Sequence, residues 1–253
     1  MNKIKPACEG IKIIMLEECT STNTVAKEYA RSGADEKTVI IAESQSAGRG
    51  RMGRSFFSPD KTGLYMSIIL RPRVSGERAL EITTAAAVAA ARVIEKVCKE
   101  TVRIKWVNDI YKNEKKVCGI LTEACTCSDG SIDYAVLGIG VNLFKPGGGF
   151  PDEISSIADS VYDCPHNQEL KNEFAAELID EFFSLYPLIG KNSFVDEYRS
   201  RSLVTGRDIY IISGEEKIPA TACAIGDDYS LHVRLADGSK RVLSSGDISI
   251  KVK

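Results

Sequence analysis

Residues 39–70 read VIIAESQSAGRGRMGRSFFSPDKTGLYMSIIL. Two apolar runs in this stretch, Val39-Ile40-Ile41-Ala42 and Leu64-Tyr65-Met66-Ser67-Ile68-Ile69-Leu70, have the length and β-branched content of strands, and Arg71-Pro72 ends the second. Between them, from Ser44 to Asp60, runs a segment rich in glycine and arginine. A loop this long inside a compact domain is uncommon unless it carries function. Its centre, Gly48-Arg49-Gly50-Arg51-Met52-Gly53-Arg54, joins three glycines, which let backbone N–H groups converge, to three arginines with forked donors. That combination suits phosphates and carboxylates. The same composition also suits a solvated loop or a patch that touches RNA, and composition alone leaves these readings level.

Working outward, Thr20-Ser21-Thr22-Asn23 supplies side-chain oxygens able to cap a helix, Val25, Ala26, Tyr29 and Ala30 recur at helical spacing, and Gly33 is placed to end it. Downstream, residues 77–99 carry an alanine run with Leu80, Val88, Ile94 and Val97 around it, which predicts a helix with one apolar face. Strand-type segments follow at 102–106, 109–111, 117–124 and 134–141. Gly147-Gly148-Gly149 marks an irregular connection, and residues 169–186 bring Leu170, Phe174, Leu178, Ile179, Phe182 and Phe183 onto one helical face. Four short β-type runs between 208 and 243, separated by turn residues such as Gly226-Asp227-Asp228 and Asp237-Gly238-Ser239, predict a small all-β module. The division falls near Leu203, giving domains 1–203 and 204–253.

A chain of 253 residues can bury a substantial core, and its 43% hydrophobic and 27% charged content excludes a disordered or collagenous protein. The net charge of -2 offers no whole-molecule attraction for nucleic acid or an anionic membrane, so any basic site is local. No apolar run approaches the ~20 residues that span a bilayer, and residues 1–10 lack the core of a signal peptide, which predicts a cytoplasmic protein with no membrane partner. Eight cysteines, at 8, 19, 98, 118, 125, 127, 164 and 223, form no C-x-x-C pair, and only His166 and His232 could add to them. They are read as buried free thiols, with no disulfide and no protein-held metal.

Three further clusters carry reactive groups. Lys105-Trp106-Val107-Asn108-Asp109 places an ammonium, an amide and a carboxylate at a strand end, a set that suits phosphate, a divalent cation and an acceptor amine, or an ordinary turn. Lys115-Lys116-Val117-Cys118-Gly119-Ile120-Leu121 sends a lysine into an apolar strand, with a glycine where something approaches the backbone. Gly138-Ile139-Gly140-Val141-Asn142 is an apolar strand whose two glycines could seat a flat ligand.

In this order, these segments resemble the biotin-protein ligase family. The match runs from Thr20-Ser21-Thr22-Asn23 through Glu43-x-Gln45-x-Ala47-Gly48-Arg49-Gly50-Arg51, Lys105-Trp106-x-Asn108-Asp109, Lys116-x-x-Gly119-Ile120-Leu121 and Gly138-x-Gly140-x-Asn142 to Ser245-Gly246-Asp247-Ile248-Ser249. The resemblance implies an α+β fold. A mixed β-sheet flanked by helices, of the kind shared by biotin-lipoate ligases and class II aminoacyl-tRNA synthetases, would be followed by a C-terminal SH3-like β-barrel. It also implies a short form without the N-terminal DNA-binding helix-turn-helix of longer members, and hence no DNA partner and no repressor activity.

The implied reaction activates biotin with ATP and Mg2+ as biotinyl-adenylate, then transfers biotin to one lysine of a biotin carboxyl carrier protein domain, as in acetyl-CoA carboxylase. Lys116, Arg51 and Asp109 would be the catalytic groups. Biotin would be held by Ser21, Thr22, Asn23, Gln45, Gly48, Arg49, Arg51, Trp106, Lys116 and Gly119, with Ile120 as an apolar wall. ATP would meet Arg51, Arg54, Phe56, Lys105, Asn108, Lys116 and Asn142. Two departures stand out: Val107 replaces the family's usual proline, which bears on the strand-end geometry, and Phe56 replaces a tryptophan found in some members, which bears on adenine stacking. A lipoate-protein ligase, an RNA-binding protein and a non-catalytic biotin sensor are the competing readings. A homodimer through sheet edges stays open.

Overall fold

Alternation along the two apolar runs sorts their side chains onto opposite faces of a sheet. The computed structural model describes residues 4–213, 215–244 and 248–252. Its main sheet has seven strands: β1 (Lys12–Cys19), β2 (Thr38–Gln45), β3 (Gly63–Leu70), β4 (Val102–Lys105), β5 (Asp109–Lys112), β6 (Lys115–Thr126) and β7 (Ile132–Asn142), in spatial order β1-β2-β3-β7-β6-β5-β4. Only β1 and β2 are parallel, joined through helix α1 (Thr22–Arg31); the other neighbours are antiparallel, so the sheet is mixed.

One face carries Val39, Ile41, Leu64, Met66, Ile68 and Leu70 and packs against α2 (Ala79–Cys98). The alanine run of α2 is buried on every side because α4 (Gln168–Leu185), which follows the one-turn α3 (Asp152–Ser155), covers its back. The opposite face carries Ile40, Ile69, Tyr134 and Val136 and meets Ala26 and Ala30 of α1. Ser67 lies between Tyr65 and Ile69 on this second face, fully buried. Beyond α4 come the short helix α5 (Val195–Ser200) and a five-stranded antiparallel sheet of the SH3-like kind. Its strands are β8 (Asp208–Ser213), β9 (Glu216–Ile225), β10 (Leu231–Leu235), β11 (Lys240–Leu243) and β12 (Ile248–Val252), in order β11-β10-β9-β8-β12. A single buried apolar cluster runs from the main sheet into Ile209, Ile211, Ala222, Tyr229 and Leu231 of this module.

Several expectations are corrected by the structure. Strand β1, absent from the expectations, is an edge strand, half-buried at most, whose charged Lys12, Glu17 and Glu18 obscure the apolar positions. Ser21 stands at the N-cap of α1 but makes no side-chain cap bond; the working side-chain cap is Asn167 on α4, which accepts from the Glu169 and Leu170 N–H groups. All eight cysteines are free, yet only Cys118 is fully buried, and Cys125, Cys127, Cys164 and Cys223 are exposed. Cys125 and Cys127 lie where β6 runs past the core into its turn, beyond the cover that burial would need. Of the closing block of the resemblance, residues 245–247 lie outside the described residues.

Candidate active site

The face of the sheet that carries α1 is stripped of side chains near its centre. Gly119 pairs with Gly140, and Leu121 with Gly138, on neighbouring β6 and β7. A Cβ at Gly138 would stand 2.0 Å from Asn23 Oδ1, and one at Gly140 2.6 Å from the Phe56 ring. Glycine there is what lets both groups lie against the sheet. The result is an open cleft above β6 and β7.

At one end the cleft is neutral and fully hydrogen-bonded. Ser67 Oγ donates to Asn23 Oδ1 (2.7 Å), with Thr22 Oγ1 2.8 Å away. Gln45 Oε1 accepts from the Thr22 N–H (2.8 Å) and hydroxyl (3.2 Å), while Gln45 Nε2 donates to Ser58 Oγ (2.9 Å). Asn23 Nδ2 donates to Glu123 Oε2 and to the Leu121 carbonyl. Ser21, Thr22 and Asn23 are each nearly inaccessible. The polar run at the start of α1 is thus spent on the cleft rather than on capping the helix. Burial favours raising the Glu123 carboxyl, but hydrogen bonds from Lys27 and Asn23, with the charges of Lys27 and Arg49, hold it below the usual carboxylate range.

The other end is charged. β4 and β5 form a hairpin in which Lys105 faces Asp109, Asp109 in turn pairs with Gly119 of β6, and Trp106-Val107-Asn108 makes the turn. The Trp106–Val107 peptide is cis. Asn108 is tied down three ways: its Nδ2 donates to Ile120 O (2.7 Å), its carbonyl accepts from Ile120 N (3.0 Å), and its Oδ1 accepts from Arg51 Nη1 (3.3 Å). Lys116 Nζ and Asp109 Oδ1 are 2.7 Å apart, a contact of opposite charges in which the buried Oδ1 takes no hydrogen bond. Lys116 Nζ also lies 5.8 Å from the centre of the Phe56 ring. Burial pulls the Arg51 guanidinium below its ordinary value, with the Asp109 charge as the largest opposing influence.

The Gly/Arg segment closes over both ends. Phe56 N–H donates to Gly48 O, Gly50 N–H to Arg54 O, and Arg51–Gly53 form one turn of 3-10 helix in which Met52 takes the left-handed region at φ 57°. Of the residues that the sequence assigns to the site, Ser21, Thr22, Asn23, Gln45, Arg49, Arg51, Arg54, Phe56, Lys105, Trp106, Asn108, Asp109, Lys116 and Gly119 line this cleft. Gly48 and Asn142 are not among the lining. A Cβ at Gly48 would be 2.3 Å from Phe56 O, so its glycine serves the loop crossing, and Asn142 turns away to donate to Asp159 O (3.1 Å).

Sequence reasoning missed Ser58, Ser67 and Glu123. Ser67 left a trace, as the lone hydroxyl inside an otherwise apolar strand; Ser58 and Glu123 left none that distinguishes them from surface residues. Among the described residues no cluster of three His, Cys, Asp or Glu could hold a metal ion.

Residues 16–142, half of the chain, match the family model described as Biotin/lipoate A/B protein ligase family. The chain is 38% identical over 158 residues to the bifunctional ligase/repressor BirA of Bacillus spizizenii, an alignment covering 62% of this chain and 48% of that protein. It spans about half the length of the Bacillus relatives it matches. It is 29% identical over 238 residues to the biotin--[acetyl-CoA-carboxylase] ligase of Mycobacterium tuberculosis, covering 90% of this chain and 85% of that one. The solved biotin protein ligase from Aquifex aeolicus in complex with biotin and ATP superimposes at a TM-score of 0.78 with 25% identity, over 96% of this chain and 99% of that one.

Proposed function

This chain belongs to the Biotin/lipoate A/B protein ligase family, and from that premise we propose that it activates biotin with ATP and transfers the biotinyl group to one lysine of a carrier protein. The observation that carries the reading is the pairing, in one cleft, of a buried neutral hydrogen-bonding end with a cationic end. A ureido ring is neutral and needs both donors and acceptors, which Thr22, Asn23 and Gln45 offer from fixed positions. A dithiolane ring has no N–H or C=O to exchange for the hydrogen bonds of this end, and a site built for hydrogen bonds rejects such an analogue strongly. This favours biotin over lipoate.

A carboxylate is a poor acyl donor because its leaving group would be oxide. In the first half-reaction a biotin carboxylate oxygen attacks the α-phosphorus of ATP, the bond to the β-phosphate bridging oxygen breaks, and pyrophosphate leaves. Negative charge gathers on carboxylate and phosphate oxygens, so the task of the protein is to hold cations where that charge grows. Lys116 and Arg51 sit at the junction of the two ends, and Arg54 and Lys105 extend the cationic wall toward the nucleotide. Magnesium arriving with ATP would neutralise part of the triphosphate charge.

In the second half-reaction the carrier lysine, having lost a proton, attacks the acyl carbon and AMP departs. Asp109 is the carboxylate in the cleft lining, its Oδ1 2.7 Å from Lys116 Nζ. It would orient the incoming amine.

The reading divides the chain into a ligase domain of residues 1–203 and a C-terminal module of residues 204–253. The eight free thiols suit a reducing compartment and support a cytoplasmic reading. Biotin-dependent exchange of labelled pyrophosphate into ATP tests the reading. Exchange with biotin but not with lipoate is expected. Exchange with lipoate alone would make the protein a lipoate ligase, and RNA binding without either exchange would make the arginine loop a nucleic-acid patch.

A further inference from the structure

Helix α5 sits behind the Lys105–Asp109 hairpin, and three consecutive residues of it reach three different parts of the molecule. Glu197 takes both donors of the Arg92 fork on α2 and is held again by Arg201. Arg199 donates to Ile225 O (2.8 Å) and pairs with Asp227 in the C-terminal module. Between them, the fully buried Tyr198 sends its hydroxyl to the Val107 carbonyl at 3.0 Å. The neighbouring Trp106 is anchored from the same side, its indole N–H donating to Tyr229 O at 2.9 Å. Tyr229 in turn packs edge-on to Tyr198, with ring centres 5.6 Å apart.

We propose that Tyr198 is a positioning residue for both half-reactions: by fixing the Val107 carbonyl it sets where Asn108 and Asp109 stand, and so where Arg51 and the acceptor amine are met. The assignment of roles rests on the ligase reading above. The chain of contacts is short. Val107 adjoins Asn108, whose side chain receives Arg51, and Asp109 follows at once with its carboxylate against Lys116. The turn is only three residues long, so a displacement at Val107 has little backbone in which to dissipate before it reaches these groups. Misplacement of reacting groups by about an ångström can cost on the order of 10²-fold in rate.

The same aromatic cluster supplies a matched control. Tyr198→Phe and Tyr229→Phe each remove one buried hydroxyl and keep the ring, but the Tyr229 hydroxyl makes no hydrogen bond, so only the first change cuts the tie to the active-site turn. Trp106 is the sole tryptophan of the chain and is 3% exposed, so its fluorescence reports the turn without any need for activity.

In full-length protein, Tyr198→Phe is expected to shift Trp106 emission to the red, increase quenching by acrylamide, and lower kcat for transfer of biotin to a carrier by about tenfold or more, with a smaller change in KM for biotin. Tyr229→Phe is expected to match wild type in all three. Wild-type quenching and kcat in Tyr198→Phe would overturn the proposal, and so would equal losses in both variants, which would point to ring packing alone. If wild type shows no biotin-dependent exchange, the ligase reading fails, while the quenching comparison still decides whether Tyr198 positions the turn.

Discussion

The two ends of the cleft are built on opposite principles. At the α1 end, Ser67, Asn23, Thr22, Gln45 and Ser58 are joined by neutral hydrogen bonds between packed elements, and Ser21, Thr22 and Asn23 are all but inaccessible. At the arginine-loop end, the groups are charged and long, and they are carried by a segment whose Met52 is exposed and whose glycines give the backbone freedom. A neutral ring is recognised best by dipoles fixed in advance, since unpaired buried polar atoms are costly. Anions that gain charge during reaction are served by cations that can close on them. The difference teaches that one end should set affinity and the other should set rate and retention.

That division is broken most severely at Lys116. Lys116→Gln keeps the stem volume but removes a cation from the junction, and adenylate formation is expected to fall about 10²- to 10³-fold with biotin affinity changed far less. Pyrophosphate exchange with this variant checks it; wild-type exchange would remove Lys116 from the mechanism. Asp109→Asn is expected to spare adenylation and slow transfer by about 10²-fold, measured by single-turnover transfer from preformed adenylate. Equal losses in both steps would assign the carboxylate to the nucleotide.

Arg51→Gly sharpens the contrast in retention. It adds a glycine to a flexible loop and removes the guanidinium that meets Asn108, while Lys116 stays to support chemistry. Release of biotinyl-adenylate is expected to quicken about tenfold, one charge-assisted contact being lost. Biotin should then appear on a bystander such as serum albumin. An unlabelled albumin band alongside normal carrier labelling would mean that this arginine does not hold the loop shut.

At the neutral end the expected effects are smaller and fall on affinity. Ser67→Ala leaves Asn23 Oδ1 without its 2.7 Å donor, which should weaken biotin binding by about 1–2 kcal/mol with kcat retained, as calorimetry and steady-state kinetics would show. Glu123 gives the smallest effect and a sign. Its folded carboxyl lies below its unfolded value of about 4.3, so its contribution to stability is complete above that value and is lost as pH falls through the folded one. Glu123→Gln should therefore lower stability by about 1 kcal/mol near neutrality, a gap that closes in acid; denaturant titration at several pH values measures it.

The legibility of the two ends in the sequence was unequal for the same physical reason. The charged end announces itself, because Gly48–Arg54 and Lys105–Asp109 are compositions that a core or a plain turn has little cause to contain. Strands β2, β3, β6 and β7 and helix α2 were equally plain, being apolar runs whose period survives burial on two faces. The neutral end was harder to see. Ser21, Thr22 and Asn23 read as a helix cap, and only the glycine at 138 and the buried Ser67 reveal that their side chains are committed to the sheet. Edge strand β1 and the six residues of α5 were missed because a half-exposed strand with three charges and a helix of under two turns leave too short a period to read. Burial of the cysteines was overestimated for a related reason: β6 extends beyond the layer that covers it, and sequence does not show where cover ends.

The central claim is that one cleft both selects a neutral ring and activates its carboxylate for transfer to a protein amine. The most direct measurement is the intact mass of a purified biotin carboxyl carrier domain after incubation with this chain, ATP, magnesium and equal concentrations of biotin and lipoate. The account predicts the addition of one biotinyl group on one lysine. A lipoyl adduct, or an unmodified carrier in the presence of active nucleotide, would contradict it.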